Sequence, residues 1–505
     1  MVTVSRHDRD RKPRGAEPEE SRLPLQGPTA SRPHDFTKDW YFLNCYFEEN
    51  AGESFTISRP GIEPVIENNG LGRGLYVFQD ALFWVVGDTI YNDTEEDEER
   101  PDRPIPEFTL NTSEGHVYFT SWHSDKLLVF DRDYLYEIKF DEDNEEWEKR
   151  EFPSDTSADM DSLPPNLAEG LVMLAGHAYV MDRNGFIYNS YYDEFDKWDD
   201  LDFIAADNVT DRGIRLARFK QYVIAFCTSS MQVFAHAGLE PPGSPMQEIE
   251  QGFNRIGTFS PYSVVELTDT LIFVGVEHNG NYGVYLLDGF TPQKISNATI
   301  ERMLEQEAED GFIATLEAYP VTVEGHKFYC LNLYGRETTL VFDVRNQAWA
   351  EWKTNEKEFP IKHAVFYNGE TRGMDWDPDS GSIHRINPKN KKDYWFNDTE
   401  YPIKMQIQTD FFDGSVIREK FLTRLEIFAD IHGDVESAPG TVEWSDDDYQ
   451  TWKSRDVNLA GRPVIYRLGR FKKRAFRFTS EAPVKHRWRT LDLRYYEGGY
   501  SGGST

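Results

Sequence analysis

From Ala81 onward the chain repeats one pattern: a short apolar strand, a tight polar turn, and a second strand ending in aromatic residues. ALFWVVGDTIY starts at Ala81, KLLVFDRDYLYEI at Lys126, HAYVMDRNGFIY at His177 and QYVIAFCTSSMQVF at Gln221. TLIFVGVEHNGNYGVYLL from Thr270, HKFYCLNLYGRETTLVFD from His326 and the weaker HAVFYNGETRGMDWD from His363 continue it. Val, Ile, Phe and Tyr dominate these strands, as a pleated, half-buried surface requires. Asp131–Arg132–Asp133, Arg183–Asn184–Gly185, Asn279–Gly280–Asn281 and Tyr334–Gly335–Arg336 supply the hairpin turns, since Gly and Asn tolerate positive φ. Successive starts lie about 40 to 55 residues apart, close to the spacing of four-stranded propeller blades. The pattern predicts an all-β protein whose residues 39–387 form a six- or seven-bladed β-propeller. An elongated array of β-sandwiches would use similar strands but does not call for so regular a period. Trp-Asp dipeptides occur only at Trp198–Asp199 and Trp376–Asp377 and do not recur from blade to blade as in WD repeats, so the assignment rests on spacing and pattern.

Three further regions complete the layout. ISNATIERMLEQEAEDG reads as a helix near 297–310: Ser296 or Asn297 caps its first amides, Glu301 lies in the first turn, and Gly311 ends it. Ile300, Met303, Leu304 and Ala308 share one face, which suits packing on the side of the propeller. Beyond Asn387 the linker PKNKKDYWFNDTEYP leads into alternating strands over 388–497, enough for a small β-sandwich. Residues 1–38, poor in apolar side chains, read as a flexible tail, and 498–505 (Gly- and Ser-rich) as a flexible tip.

Composition narrows the function classes. A chain of 505 residues exceeds one ordinary core, and 14% aromatic residues give it apolar surface to bury. Its longest obvious apolar run, Ala81–Val86, falls far short of the roughly 20 residues of a spanning helix. The charged N-terminus has no apolar stretch behind it and does not read as a secretory signal. Cys45, Cys227 and Cys330 are odd in number and far apart, which fits free thiols rather than a disulfide framework. With 88 acidic against 54 basic residues the formal net charge is −34, which excludes nucleic-acid binding through bulk positive charge.

Charge is unevenly distributed. Acidic runs span Asn92 to Asp102 (with Glu95, Glu96, Asp97, Glu98 and Glu99), Asp141 to Glu148 (with Asp141, Glu142, Asp143, Glu145 and Glu146) and Asp193 to Asp202. None follows the spacing that wraps a chain around calcium, and like charges this close favour a solvated surface. From Arg462 to Arg494 the sign reverses: Arg467, Arg470, Lys472, Lys473, Arg474, Arg477, Arg487 and Arg489 stand out against few acids. Such a patch suits phosphate contact or, better in so acidic a chain, an ionic dock for a neighbouring subunit or partner. Ser445–Trp452 resembles the Asp-box hairpin, S-x-D-x-G-x-T-W, with Tyr449 where glycine is usual, and so marks a turn. No P-loop, H-E-x-x-H or C-x-x-C is present, and the one G-x-S-x-G string (Gly499–Gly503) falls in the Gly-rich tip and not between a strand and a helix. Neither a cofactor nor a metal site is expected.

Four stretches carry a family resemblance: DWYFLNCYFEENAGESFTISRPGIEP, RIGTFSPYSVVELTDTLIFVGVEHNGNYGVYLLDG, ISNATIERML and YRLGRFKKRAFRFTSEAPV. They resemble, in order, the tail-hub or nozzle proteins of short-tailed bacteriophages, also called packaged-DNA stabilisation proteins. The acidic insertions around Glu95 and Glu145 and the charged N-terminal tail depart from that family's pattern. The resemblance implies a non-enzymatic protein of the virion tail, assembled in the host cytoplasm. It implies a homo-oligomeric ring, a hexamer, continuing the portal-adaptor channel, with tail fibre, spike or plug proteins docked nearby. Double-stranded DNA would be retained in the channel and conducted during ejection without specific binding. Six copies, each at −34, carry −204 formal charges, and a negative wall repels the duplex and lets it slide. Some acidic loops are therefore expected to face the lumen. The alternative reading is a carbohydrate-active propeller, sialidase-like or a depolymerase of host surface glycans.

Overall fold

A computed structural model describes residues 17–498 apart from 28, 33–34, 51, 94–102, 124, 142–145, 154–162, 241, 396–398, 417 and 431–434. They fall into two compact units, one drawn from 62–339 and 358–387, the other from 1–61, 340–357 and 388–505.

In the larger unit the apolar runs become the middle strands of successive small antiparallel sheets. The first sheet joins Gly72–Phe78, Ala81–Val86, Thr89–Asn92 and Arg103–Thr109. Ala81–Val86 is buried throughout, and its two faces go to different neighbours. Phe83 and Val85 pack with Leu127 and Val129 of the second sheet, whereas Leu82, Trp84 and Val86 pack with Tyr367, Met374 and Ile383 of the last. The period of 2 along a strand makes this division, and only a sheet covered on both faces needs apolar residues at every position. Lys126–Phe130 repeats it: Leu127 and Val129 face the first sheet, Leu128 and Phe130 the third. Tyr222–Cys227 does the same between the third and fifth sheets.

Five sheets of four or five strands, then the strands Glu317–Val323 and His326–Leu333, then a last four-stranded sheet follow one another in this unit among the described residues. Their innermost strands are Gly72–Phe78, Tyr118–Trp122, Val172–Leu174, Gly213–Phe219, Val265–Leu267, Glu317–Val323 and Lys362–Tyr367. Each touches the next, the fourth and fifth meeting through a bond from Arg215 to the Pro261 carbonyl (2.5 Å) and a shared core. Lys362–Tyr367 contacts Gly72–Phe78 and closes the circle. Strand Gly61–Ile66, from the start of the chain, completes the last sheet beside Ile383–Asn387. The fold is an all-β propeller whose last blade is closed by its earliest strand, which removes the open edge a linear array would leave.

The helix runs over Ala298–Glu309 beside strand Tyr282–Leu287. The Asn297 side chain accepts from the amides of Thr299 and Ile300 (3.0 and 3.1 Å), and Gly311 has φ +85°. Ile300, Met303 and Leu304 are buried as the pattern requires. Thr299 is buried too, and Glu307 is buried in place of Ala308, its carboxylate accepting from the Gly335 amide (3.0 Å).

The smaller unit is assembled differently from the chain-order layout. Cys45–Asn50 and Glu53–Ser58 form a hairpin in one sheet with Arg487–Glu497, Lys420–Ala429 and Val464–Phe471. Asp35–Leu43 pairs with Met405–Gln408 in a second sheet that holds Ala348–Thr354, Ala475–Ser480, Pro439–Ser445 and Lys453–Asn458. Phe42, Phe47, Ile407, Leu425, Phe478, Trp488 and Leu491 of these sheets share one core. The boundary expected at 39 thus gives way to one near 61, and residues 340–357 join this unit as well. The reading of 1–38 as a flexible tail also needs correction. Glu19–Pro24 is a strand paired with 490–495, held by an ion pair of Arg22 with Asp492 (3.0 Å) and by fully buried Leu25. Strand Ala30–Arg32 and the start of Asp35–Leu43 also fall in the expected tail, whereas residues 1–16 of it and 499–505, nearly all of the tip, lie outside the described residues.

Candidate functional site

The middle of the propeller is filled by polar side chains from several blades. His116 stacks on Tyr262 (centroids 3.6 Å apart, 9° between planes) and pairs through Nε2 with Glu317 (2.9 Å). Tyr334 donates to the other Glu317 oxygen (2.6 Å), and His363 meets His116 edge-on at 4.8 Å. On the far side of Tyr262, its hydroxyl donates to Glu169 (3.3 Å), which also pairs with Arg132 (3.2 Å). Arg215 lies 5.0 Å over the Tyr118 ring. Between these groups is a cavity of about 350 Å³ bounded by the innermost strands, with Gly74, Val117, Arg215, Val265, Glu317 and Lys362 on its wall. His363 has φ +44° and sits where the pairing of 362–364 with 373–374 slips by one residue. A bulge of this kind re-aims a side chain.

The electrostatics follow from burial and proximity. Burial alone would raise the Glu317 pKa, but the hydrogen bond and charge of His116 outweigh it and hold the carboxyl at about 2. Burial pushes the His363 imidazole well below its usual range and lowers Lys362, while it drives Tyr262 upward. A depressed carboxyl stabilises the fold above its unfolded value of 4.5 and loses that contribution as pH falls toward 2. Glu317→Gln is therefore expected to cost roughly 2–3 kcal/mol near neutral pH, with the gap from wild type narrowing below pH 4.5. Urea midpoints of both proteins between pH 6 and pH 3 check this; a gap independent of pH would contradict it.

The basic stretch singled out in the sequence is dispersed by folding. Arg474 is fully buried and held by Asp446 (2.6 and 2.9 Å) and the Leu468 carbonyl. Arg477 bonds Gln408, pairs with Glu443 (3.5 Å) and covers the Trp452 ring at 3.9 Å. Arg487 pairs with Asp430 and lies 3.4 Å over Phe55, Arg489 pairs with Glu53, Lys473 with Asp448 (3.6 Å) and Arg470 with Glu419 (3.6 Å). Arg467 and Lys472 remain exposed and make no ion pair among the described residues. Arg467 instead joins Arg424, Arg494, Tyr466, Tyr496 and Phe421 around a groove of about 860 Å³ on the first sheet of the smaller unit. Of the acidic residues, Glu95, Glu96, Asp97, Glu98, Glu99, Glu142, Asp143 and Glu145 lie outside the described residues. Asp141 and Glu146 pair across the ends of two strands in the second blade.

The Asp-box-like segment does form a turn. Asp447 accepts from the Ser445 hydroxyl and the Thr451 amide (2.9 Å each), and Tyr449, in the usual glycine position, has φ +65°. Cys45, Cys227 and Cys330 are buried free thiols, with burial raising the pKa of each. The axial cluster itself was not anticipated from sequence. Its signal is a charged or histidine residue in the innermost strand of a repeat, as at Arg215, Glu317 and Lys362–His363.

Residues 22–375, more than two thirds of the chain, match the family model described as bacteriophage P22 Gp10, beta-propeller. The chain belongs to this phage stabilisation family. The match covers all seven innermost strands, and the family is one of structural phage proteins. No curated protein matches the chain. Among solved structures, the computationally designed Ika8 protein is 9% identical, with 64% of this chain and 98% of that one covered, at a TM-score of 0.38. The extracellular domain of the hybrid two-component system BT3049 from B. thetaiotaomicron is 10% identical over 81% of this chain and 49% of that one, at 0.42. BBS1N in complex with ARL6DN is 10% identical over 66% and 97%, at 0.37.

Proposed function

We propose that the protein is a non-enzymatic component of a phage tail, forming a ring of copies, a hexamer, that continues the portal-adaptor channel. The ring retains packaged duplex DNA and conducts it during ejection. The observation that carries this reading is the internal pairing of the basic stretch. With Arg470, Lys473, Arg474, Arg477, Arg487 and Arg489 matched to acids of their own unit, little cationic surface is left to hold phosphates through counterion release. The net charge of −34 then favours passage over capture. The channel lies between copies, because a cavity of about 350 Å³ admits no duplex whose major groove alone is about 12 Å wide.

Copy-to-copy docking falls to the groove around Arg467, with Tyr466 (57% exposed) as an amphipathic anchor. Its neighbours Arg424 and Arg494 already pair with Glu426 and Glu20, so Arg467 carries the charge match. The groove's occupant is an acidic surface of the next copy, matched by charge. Fibre, spike or plug proteins occupy other faces of the ring. Among the axial carboxylates, Glu317 stays ionised and so does not serve as the general acid of a glycosidase, which supports the non-catalytic reading.

Negative-stain images of the purified chain with portal and adaptor test the reading. Closed rings are expected, and Arg467→Glu with Tyr466→Ala should leave monomers. Monomeric particles from the wild-type chain under the same conditions would overturn it.

A further inference from the structure

Lys362 is the least explained charge in the propeller. It is 5% exposed, lies in the innermost strand of the seventh blade, and lines the axial cavity. Its ammonium makes no hydrogen bond or ion pair among the described residues. The carboxylates whose charges reach it, Glu317, Asp375 and Asp377, act without contact: Glu317 holds His116 and Tyr334, Asp375 holds His384 (3.4 Å) and the Asp377 amide (3.1 Å), and Asp377 accepts from the Asp379 amide (3.0 Å). A largely buried cation with no counter-charge in contact is costly, and an anion in the cavity beside it would lower that cost.

Two neighbours point the same way. The guanidinium of Arg215 bonds the Pro261 carbonyl through one terminal nitrogen, while its buried Nε has no partner. The His363 ring, turned by the bulge onto the same wall, makes no hydrogen bond among the described residues. Lys362, Arg215 and His363 thus bring three donors to a wall whose carboxylates are Glu317, already satisfied, and Glu266, an exposed residue. The volume, about 350 Å³, is at the small end of ligand pockets and suits a single phosphate or a monosaccharide.

We propose that the axial cavity binds a small oxyanion, a carboxylate or phosphate group, with Lys362 as its counter-charge and Arg215 and His363 as further donors. The ligand neutralises the buried cation and ties the seventh blade to the fourth, the two that contribute Lys362 and Arg215. The site is independent of the ring reading, since all its residues belong to one copy of the propeller.

The test uses the full chain with two probes, inorganic phosphate and glucuronate, each at constant ionic strength against chloride. One probe at least should raise the melting temperature of the wild type and slow acylation of Lys362 by acetic anhydride, followed by mass spectrometry. The slowing should reach about tenfold at about ten times Kd. A response to phosphate alone assigns a phosphate ligand; a response to glucuronate alone assigns a sugar acid. Lys362→Met should fold, melt higher than wild type without ligand, and lose the response to either probe. Arg215→Lys should weaken it. Absence of both a melting shift and protection in the wild type would overturn the proposal, as would an undiminished shift in Lys362→Met.

Discussion

Arg59→Met is expected to destabilise the smaller unit by about 3–5 kcal/mol, because it strands a buried carboxylate. Arg59 and Asp393 are both fully buried and meet in a two-pronged ion pair (2.6 and 2.9 Å). The same guanidinium donates to Asn44 Oδ1 (2.9 Å), the carbonyls of Pro60 (2.9 Å) and Lys353 (2.8 Å), and Thr354 Oγ1 (3.1 Å). One side chain thereby fastens 44–60, 353–354 and 393, which are far apart in sequence and adjacent in this unit. Asp393 also accepts from the Thr354 hydroxyl (2.7 Å), which cannot replace a cation. The double variant Arg59→Met, Asp393→Leu should recover much of the loss, since a matched apolar pair has no charge to desolvate. Denaturant unfolding of the three proteins measures both effects. A single variant within about 1 kcal/mol of wild type would mean that Asp393 is not held by this pair.

Arg73→Met should have the second largest effect, roughly 3 kcal/mol, felt in the propeller. Arg73 is 1% exposed in the innermost strand of the first blade. It donates to the carbonyls of Gly87 (2.8 Å), Thr112 (2.6 Å), Glu114 (2.7 Å) and Gly115 (2.8 Å) and to the Thr112 hydroxyl (2.8 Å). These bonds shape the loop that carries the chain into the second blade just before His116. Each carbonyl left dry costs about 1–3 kcal/mol, and water can reach only some of them. Arg73→Lys should recover a minor part, because an ammonium on a flexible stem cannot reproduce the fork of five donors. Thermal unfolding and hydrogen exchange of amides 112–119 check this. Unchanged exchange in Arg73→Met would contradict the assigned role.

The blades were legible because each middle strand is covered on both faces, so Ala81–Val86 and Leu127–Phe130 appear as unbroken apolar runs at a regular spacing. The helix was legible from Asn297 and Gly311, whose caps are local chemistry. The partition of the chain was not. The hairpin 45–58 alternates like any other, and nothing in it tells that it lies against Arg487–Trp488 rather than in the first blade. Pairing between residues more than 400 positions apart leaves no local trace, as with Glu19–Pro24 and 490–495.

Site residues split along the same line. Counting charges from Arg462 to Arg494 reveals cations but not their acids, which come from Glu48, Glu53, Glu419, Asp430 and Glu443 elsewhere in the unit. The patch therefore looked larger in sequence than the exposed Arg467 and Lys472 that remain. The axial cluster shows the converse. His116, Tyr262, Glu317 and His363 are unremarkable singly and acquire meaning only when seven innermost strands bring them within reach of one another.

Cryo-electron microscopy of the phage tail with DNA in its channel tests the central claim most directly. Duplex density should run along the symmetry axis of a ring of copies, lined by side chains of net negative charge, while each propeller keeps the His116–Tyr262 stack across its own middle. Density threading a single propeller, or a ring wall dominated by arginine and lysine, would contradict it.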